Sequence, residues 1–392
     1  MTALNIFSAL IGLIIYPFVI RATGKEAYGT YVYAFTIASF FQAFVDYGFE
    51  SPCAKAVVLA KDNLLERSII VSIFFYLKSS LAGVCSTIFA ICTIFVPFMH
   101  NHVTICFMTF VQLLANSFFP VWYFQGTKKM KYVTYINLAI RLGTVPFIVW
   151  LIQSPADINT YAFIVMISVI LGTLVSYICL FFDGIRLQRV NKRQLLSLFN
   201  ESTPFFITSI TSSMKGLTVK TIIKHTLGIG EVAIYDLAEK IVAIPRFFTR
   251  NINSALFPEV VSNATAKRVQ RILKYERIIG ICTAAFISLL SYPAVLLLGG
   301  QSMLDAVPVT ILLSIMIYAE LCSGAYINFV FIPTNRYYLI TTNQIISFIS
   351  CIITAFIGIL IWKNIIMVTI GVIISGIIEV LFCFYAEKKI TV

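Results

Sequence analysis

The chain has 392 residues, of which 59% are hydrophobic and only 12% charged, and its mean hydropathy is +0.92. A soluble domain carries about a quarter of its residues as charges, so a water-soluble fold is excluded. The net charge of +12 does not point to nucleic acid, because the basic residues collect in short stretches between apolar runs, where cytoplasmic loops of a membrane protein carry them.

A helical span of a bilayer needs about 20 apolar residues. The runs here are continuous rather than alternating, which excludes a transmembrane β-barrel. In chain order they predict spans over 4–20, 31–47, 68–96, 103–124, 133–152 and 158–182, then 204–227, 233–257, 278–298, 306–332, 338–361 and 365–385. The first run begins almost at Met1 without a small-residue cleavage site, so it reads as a span rather than a cleaved signal. The expected fold is an all-α integral membrane protein with about twelve transmembrane helices. Lys and Arg alternate between the loops: eighteen fall in the even-numbered connections and the C-terminal tail, against Arg21, Lys25 and Lys363 in the odd ones. By the positive-inside rule both termini are cytoplasmic and the helix count is even.

An internal repeat is visible. Gly24, Tyr31 and Ala34 follow the first run at the spacings with which Gly228, Tyr235 and Ala238 follow the seventh. This predicts a six-helix lobe over 1–182, a cytoplasmic linker over 183–200 and a second lobe over 201–392. Six-helix parallel repeats are a transporter design whose site lies between the halves.

Eight cations remain inside or at the edges of the apolar runs: Lys78, Arg141, Lys215, Lys220, Lys224, Lys240, Arg246 and Arg250. Such charges are costly in lipid and face partners or water-filled cavities. Lys220 and Lys224 share one helical face and Arg246 and Arg250 another, whereas Lys215 lies about 180° from Lys224. The acidic residues in these runs are fewer: Asp46, Asp236, Glu239, Glu320 and Glu379. The excess of positive charge suits an anionic substrate, with Lys215, Lys220, Lys224, Arg246, Arg250, Arg141 and Lys78 as binding candidates. Snorkelling to the headgroups is the competing reading for Lys78, Lys224 and Arg250. Asp46, Glu239 and Asp236 are candidates to carry a coupling proton or ion; for Asp46 and Glu239 a buried ion pair is the equal alternative. Tyr31 and Tyr123 are candidates to stack on sugar rings.

Nothing in the sequence calls for a cofactor or a catalytic residue. There is no phosphate-binding loop, HExxH or GxSxG. The nine cysteines form no CxxC pair and no metal spacing with the three histidines.

Several stretches carry a family resemblance. Arg21-Ala-Thr-Gly-Lys-Glu-Ala-Tyr-Gly-Thr-Tyr31, with Asp46-Tyr-Gly-Phe49 after it, resembles the opening of bacterial polysaccharide flippases of the Wzx type, within the multidrug/oligosaccharidyl-lipid/polysaccharide exporter superfamily. Pro120-Val-Trp-Tyr-Phe-Gln-Gly126 is similar to that family's internal motif, and Tyr235-Asp-Leu-Ala-Glu-Lys240 with Phe257-Pro258 to its C-terminal half. The N-terminal tail departs from the family in being short and uncharged. The resemblance implies two six-helix lobes around a central cationic cavity and alternating access. It implies an undecaprenyl-pyrophosphate-linked oligosaccharide, an O-antigen repeat unit, as substrate. That substrate would cross from the cytoplasmic to the periplasmic leaflet of the inner membrane. Beside the lipid-linked substrate and the bilayer, other O-antigen assembly proteins are implied partners. The rival readings are a cation-coupled exporter of drugs or metabolites with the same fold, and a membrane-embedded glycosyl- or acyltransferase. The excess of buried cations argues against the first, and the lack of a placed catalytic group against the second.

Overall fold

The computed structural model of the protein describes the backbone of residues 2–262, 266–332, 334 and 336–391, and the side chains of 15–245, 270–332, 334, 336 and 338–388. In lipid no water satisfies a bare peptide group, and the described residues meet that constraint with helices. These are α1 (Thr2–Asp46), α2 (Glu50–Leu59), α3 (Leu64–Phe95), α4 (Pro97–Asn101), α5 (Val103–Ser117), α6 (Val121–Gly126), α7 (Met130–Leu151), α8 (Ile158–Phe182), α9 (Lys192–Thr226), α10 (Ile229–Ser262), α11 (Ala266–Gly299), α12 (Ala306–Tyr326), α13 (Tyr337–Ile361) and α14 (Ile365–Thr391). No strand occurs among the described residues.

Each of the twelve apolar runs falls on helix. Eight segments among the described residues are long and apolar enough to cross a membrane: Leu64–Phe95, Val103–Gly126, Met130–Leu151, Pro155–Phe182, Gln270–Gly299, Ala306–Phe331, Tyr338–Ile361 and Ile365–Lys388. The chain is thus a multi-pass membrane protein. The other four runs lie on α1, α9 and α10. On α9 and α10 the reason for their lower hydropathy is chemical, since Lys215, Lys220, Lys224, Asp236, Glu239 and Lys240 interrupt the apolar sequence. Large apolar side chains stand exposed on the spans, among them Phe182 (83%) and Leu289 (79%), as lipid-facing residues do.

Local chemistry sets the breaks. Gly24 (φ 74°) kinks α1, and Gly228 (φ 111°) separates α9 from α10. Both occupy the left-handed half of conformational space that glycine enters without a Cβ penalty, so the two repeated glycines do the same work. Asn63 caps α3 by accepting from the Glu66 amide at 3.2 Å. Ser154 and Asp157 form a reciprocal capping box in the 3₁₀ turn Pro155–Asp157 ahead of α8. Pro120, which has no amide proton to donate, separates α5 from α6 inside the fourth predicted span.

The chain forms two compact units, Met1–Ser213 and Met214–Val392, and the division falls within α9. In the first unit α1 packs on α5 and α7, α5 and α7 pack on α8, and α2 packs on α6. Its core gathers Trp122, Tyr123 and Phe124 of α6 with Phe49, Cys53, Val57 and Phe74. Tyr47 is sandwiched between two rings of α9, Phe199 at 4.2 Å and Phe206 at 4.4 Å.

In the second unit α11 pairs with α12, α13 with α14, and α12 with both α10 and α14. The α13–α14 hairpin is close: a Cβ on Gly371 would stand 2.6 Å from the Ala355 backbone nitrogen. The Thr354 hydroxyl donates across the same seam to the Gly371 carbonyl at 2.8 Å. Small residues that let helix backbones approach, and hydroxyls that bond across them, are how helices associate in lipid. This seam fixes which polar groups of α13 and α14 meet. A π-helical turn, Ile327–Phe331, continues α12.

Candidate functional site

In the first unit the charged centre is Lys78 on α3. Its side chain is fully buried, so it does not snorkel. The ammonium lies 2.7 Å from Asp46 Oδ1 at the end of α1 and donates to the carbonyl of Ser117, the last residue of α5. It also sits 4.5 Å above the Phe74 ring. Two helix C-termini converge here, each with unsatisfied carbonyls and a partial negative charge. Asp46 makes the local charge more negative still. A single cation satisfies the carboxylate, the carbonyl and both helix ends, which ties three helices together.

Tyr31 is buried, edge-on to Tyr161 at 5.0 Å. Tyr123 is wholly buried in the aromatic core. Its hydroxyl donates to Asp183 Oδ2 at 3.4 Å, while Lys129 holds Asp183 Oδ1 at 2.7 Å. Arg141 is half-buried on α7.

The second unit holds a four-membered network. Lys220 on α9 lies 3.0 Å from Asp236 and 3.0 Å from Glu239, and Lys240 lies 2.6 Å from the other oxygen of Asp236. Asp236, Glu239 and Lys240 come from consecutive turns of α10, which presents them on one side to α9. The network is graded in exposure: Lys220 and Asp236 are nearly buried, whereas the Glu239 side chain is 36% exposed. Lys224 lies half-buried one turn beyond Lys220. Arg246 and Arg250 fall on α10 where the side chains lie outside the described residues.

Lys215 points elsewhere, as its angular offset from Lys224 predicts. Its ammonium donates to the Ser347 hydroxyl on α13 at 2.9 Å, and that hydroxyl donates to Glu379 Oε2 on α14 at 3.0 Å. Ser347 is a residue that composition and charge counting pass over. One turn away, Asn343 is completely buried, and neither of its amide atoms has a partner among the described residues. A signal for this pairing does exist in the sequence. Ser347 and Glu379 are 32 residues apart and symmetric about Lys363, the turn of an antiparallel hairpin. No group of three or more His, Cys, Asp or Glu suited to a metal occurs among the described residues.

The cations of the apolar helices therefore divide by partner. Lys78, Lys220 and Lys240 lie on carboxylates, and Lys215 on a hydroxyl. With these features in place, the family described as "Polysaccharide biosynthesis protein" matches residues 1–264. The chain belongs to this polysaccharide biosynthesis family. The motif resemblance that begins at Arg21 is therefore borne out. This family member is 22% identical over 275 residues to a protein of Escherichia coli (strain K12) named "Putative O-antigen transporter". The match covers 68% of this chain and spans 65% of that relative's length. In fold it is similar to an inward-facing multidrug resistance MATE family transporter of the MOP superfamily, with a TM-score of 0.79 at 12% identity over 98% of this chain and 94% of that one. It is also similar to the lipid II flippase MurJ in an inward closed conformation, with a TM-score of 0.68 at 14% identity over 99% and 87%.

Proposed function

We propose that this protein is a flippase for an undecaprenyl-pyrophosphate-linked oligosaccharide, an O-antigen repeat unit. It moves that unit from the cytoplasmic to the periplasmic leaflet of the bacterial inner membrane by alternating access. In this reading the other four runs, on α1, α9 and α10, also cross the bilayer. That makes twelve spans in lobes over 1–182 and 201–392, joined by the segment 183–200, with both termini cytoplasmic. The protein acts as a transporter and leaves its substrate chemically unaltered.

Family membership supports the substrate class. The observation that carries the site is the excess of cations in helices otherwise made for lipid, with Lys215 held by a hydroxyl rather than a carboxylate. A diphosphate headgroup supplies the missing negative charge. Lys215 and Lys220 bind it, with Lys224, Arg246 and Arg250 as further contacts.

The likeness to a MATE transporter favours a second reading, a cation-coupled drug exporter. That function suits an acidic cavity, and the charge balance here is the opposite.

The test is complementation of a strain lacking its own flippase, read as O-antigen on the cell surface. Wild-type protein restores display, and Lys215→Ala and Lys220→Ala lose it at unchanged membrane abundance. Display that is unaltered in both variants would sink the assignment of the site; failure of the wild type would sink the flippase reading.

A further inference from the structure

Glu379 differs from Asp46, Asp236 and Glu239 in what it touches. Those three lie directly on ammonium groups. Glu379 is 8% exposed, and its contact is the Ser347 hydroxyl. Beyond that hydroxyl stands Lys215. The hydrogen bonds run in one direction, Nζ–H to Oγ and Oγ–H to Oε2. An ammonium and a carboxylate in helices packed for lipid are thus separated by one proton-relaying group. Burying two such charges is unfavourable unless they are closely paired and fully hydrogen-bonded. Here the hydroxyl keeps them out of contact while joining them in a chain whose bonds polarise one another.

We propose that Lys215, Ser347 and Glu379 form a proton wire that switches Lys215 between ammonium and amine during transport. In the forward step one Nζ–H bond breaks as a new Oγ–H bond forms. The original Oγ–H bond breaks as Oε2–H forms. The ammonium becomes an amine, the carboxylate becomes an acid and the hydroxyl is regenerated. No proton is exchanged with solvent and net charge is unchanged. A bound diphosphate favours the ammonium, by opposite charge. Once the diphosphate leaves, the low-dielectric surroundings favour the neutral pair. The wire therefore lets the same lysine hold an anion and then let it go. This rests on the lipid-diphosphate reading and adds to it the groups that control release.

The neighbourhood contains no second cation on Glu379 among the described residues. Cys383 on its own helix, Cys351 of α13 and Cys322 of α12 are all buried. Glu320 is the single carboxyl in the α12 sequence. Asn343, on the same face of α13 as Ser347, has an unused amide donor for an anion that draws Lys215 away.

The experiment uses the full chain in phosphatidylcholine nanodiscs with farnesyl diphosphate as probe, followed by infrared difference spectroscopy. Binding to wild type should remove a carboxylic-acid carbonyl band and add carboxylate bands. The change should vanish in Glu379→Gln and Ser347→Ala and return in Ser347→Thr. Glu379→Gln should still bind the probe but release it about a hundredfold more slowly, the lower end of what a positioned proton-transfer group contributes. A wild type that binds the probe without a carboxyl change overturns the wire, and needs no variant to fold. So does a change that survives in Glu379→Gln, or a wild type that does not bind the probe. If complementation succeeds while any of these occurs, the wire alone has failed; if wild-type complementation fails, the flippase reading has failed with it.

Discussion

The two units handle buried charge in opposite ways. In the first, Lys78 is sealed against a carboxylate, a carbonyl and an aromatic face. In the second, Lys220, Asp236, Glu239 and Lys240 share charge across a gradient from buried to 36% exposed, and Lys215 rests on a hydroxyl. A sealed pair holds helices together. A graded network beside a hydroxyl-bound lysine can trade one partner for another at little cost, which an anion-binding surface requires. Sequence alone gives these cations equal standing; their partners separate them.

The largest effect that would test this contrast is Lys78→Ala. It leaves Asp46 and the Ser117 carbonyl unsatisfied among converging helix ends, and a broken buried pair costs about 3–5 kcal/mol. The expected outcome is a large drop in unfolding temperature and in yield from detergent, with Lys78→Met/Asp46→Leu recovering most of it. A stable Lys78→Ala protein that has lost transport would instead make Lys78 a functional cation and break the comparison. Lys220→Ala should cost less, about 1–3 kcal/mol, because Lys240 stays on Asp236 and Glu239 can turn to water. Its thermal unfolding should shift modestly while O-antigen display is lost. The smallest effect is expected from Tyr123→Phe. The long bond to Asp183 contributes about 0.5 kcal/mol or so, and Lys129 remains on that carboxylate. Near-normal melting and display would place Tyr123 with the packing of the first unit rather than with sugar recognition.

Much of the fold was legible in the sequence, because lipid imposes length and continuity on each apolar run. All twelve runs fall on helix, and Gly24 and Gly228, picked out by spacing alone, both adopt positive φ. One detail escaped: the fourth run is interrupted at Pro120, a residue that advertises the break locally. The site was legible as a list of charges but not as a set of pairs. Lys78 meets Asp46 because α3 and α1 are neighbours, and no local pattern encodes which helices adjoin. Ser347 carries no charge and so gave no signal; only the symmetry of the α13–α14 hairpin about Lys363 could have pointed to Glu379.

The aromatic sandwich around Tyr47 has a practical consequence for topology mapping. Reporter fusions truncated in the connection after α8 would delete Phe199 and Phe206, stripping the stacking partners from a ring at the heart of the first unit. Such fusions would report on a damaged bundle. Fusion points beyond Ser213 retain the whole of that unit, and a co-expressed split protein cut there would keep the aromatic stack within one fragment.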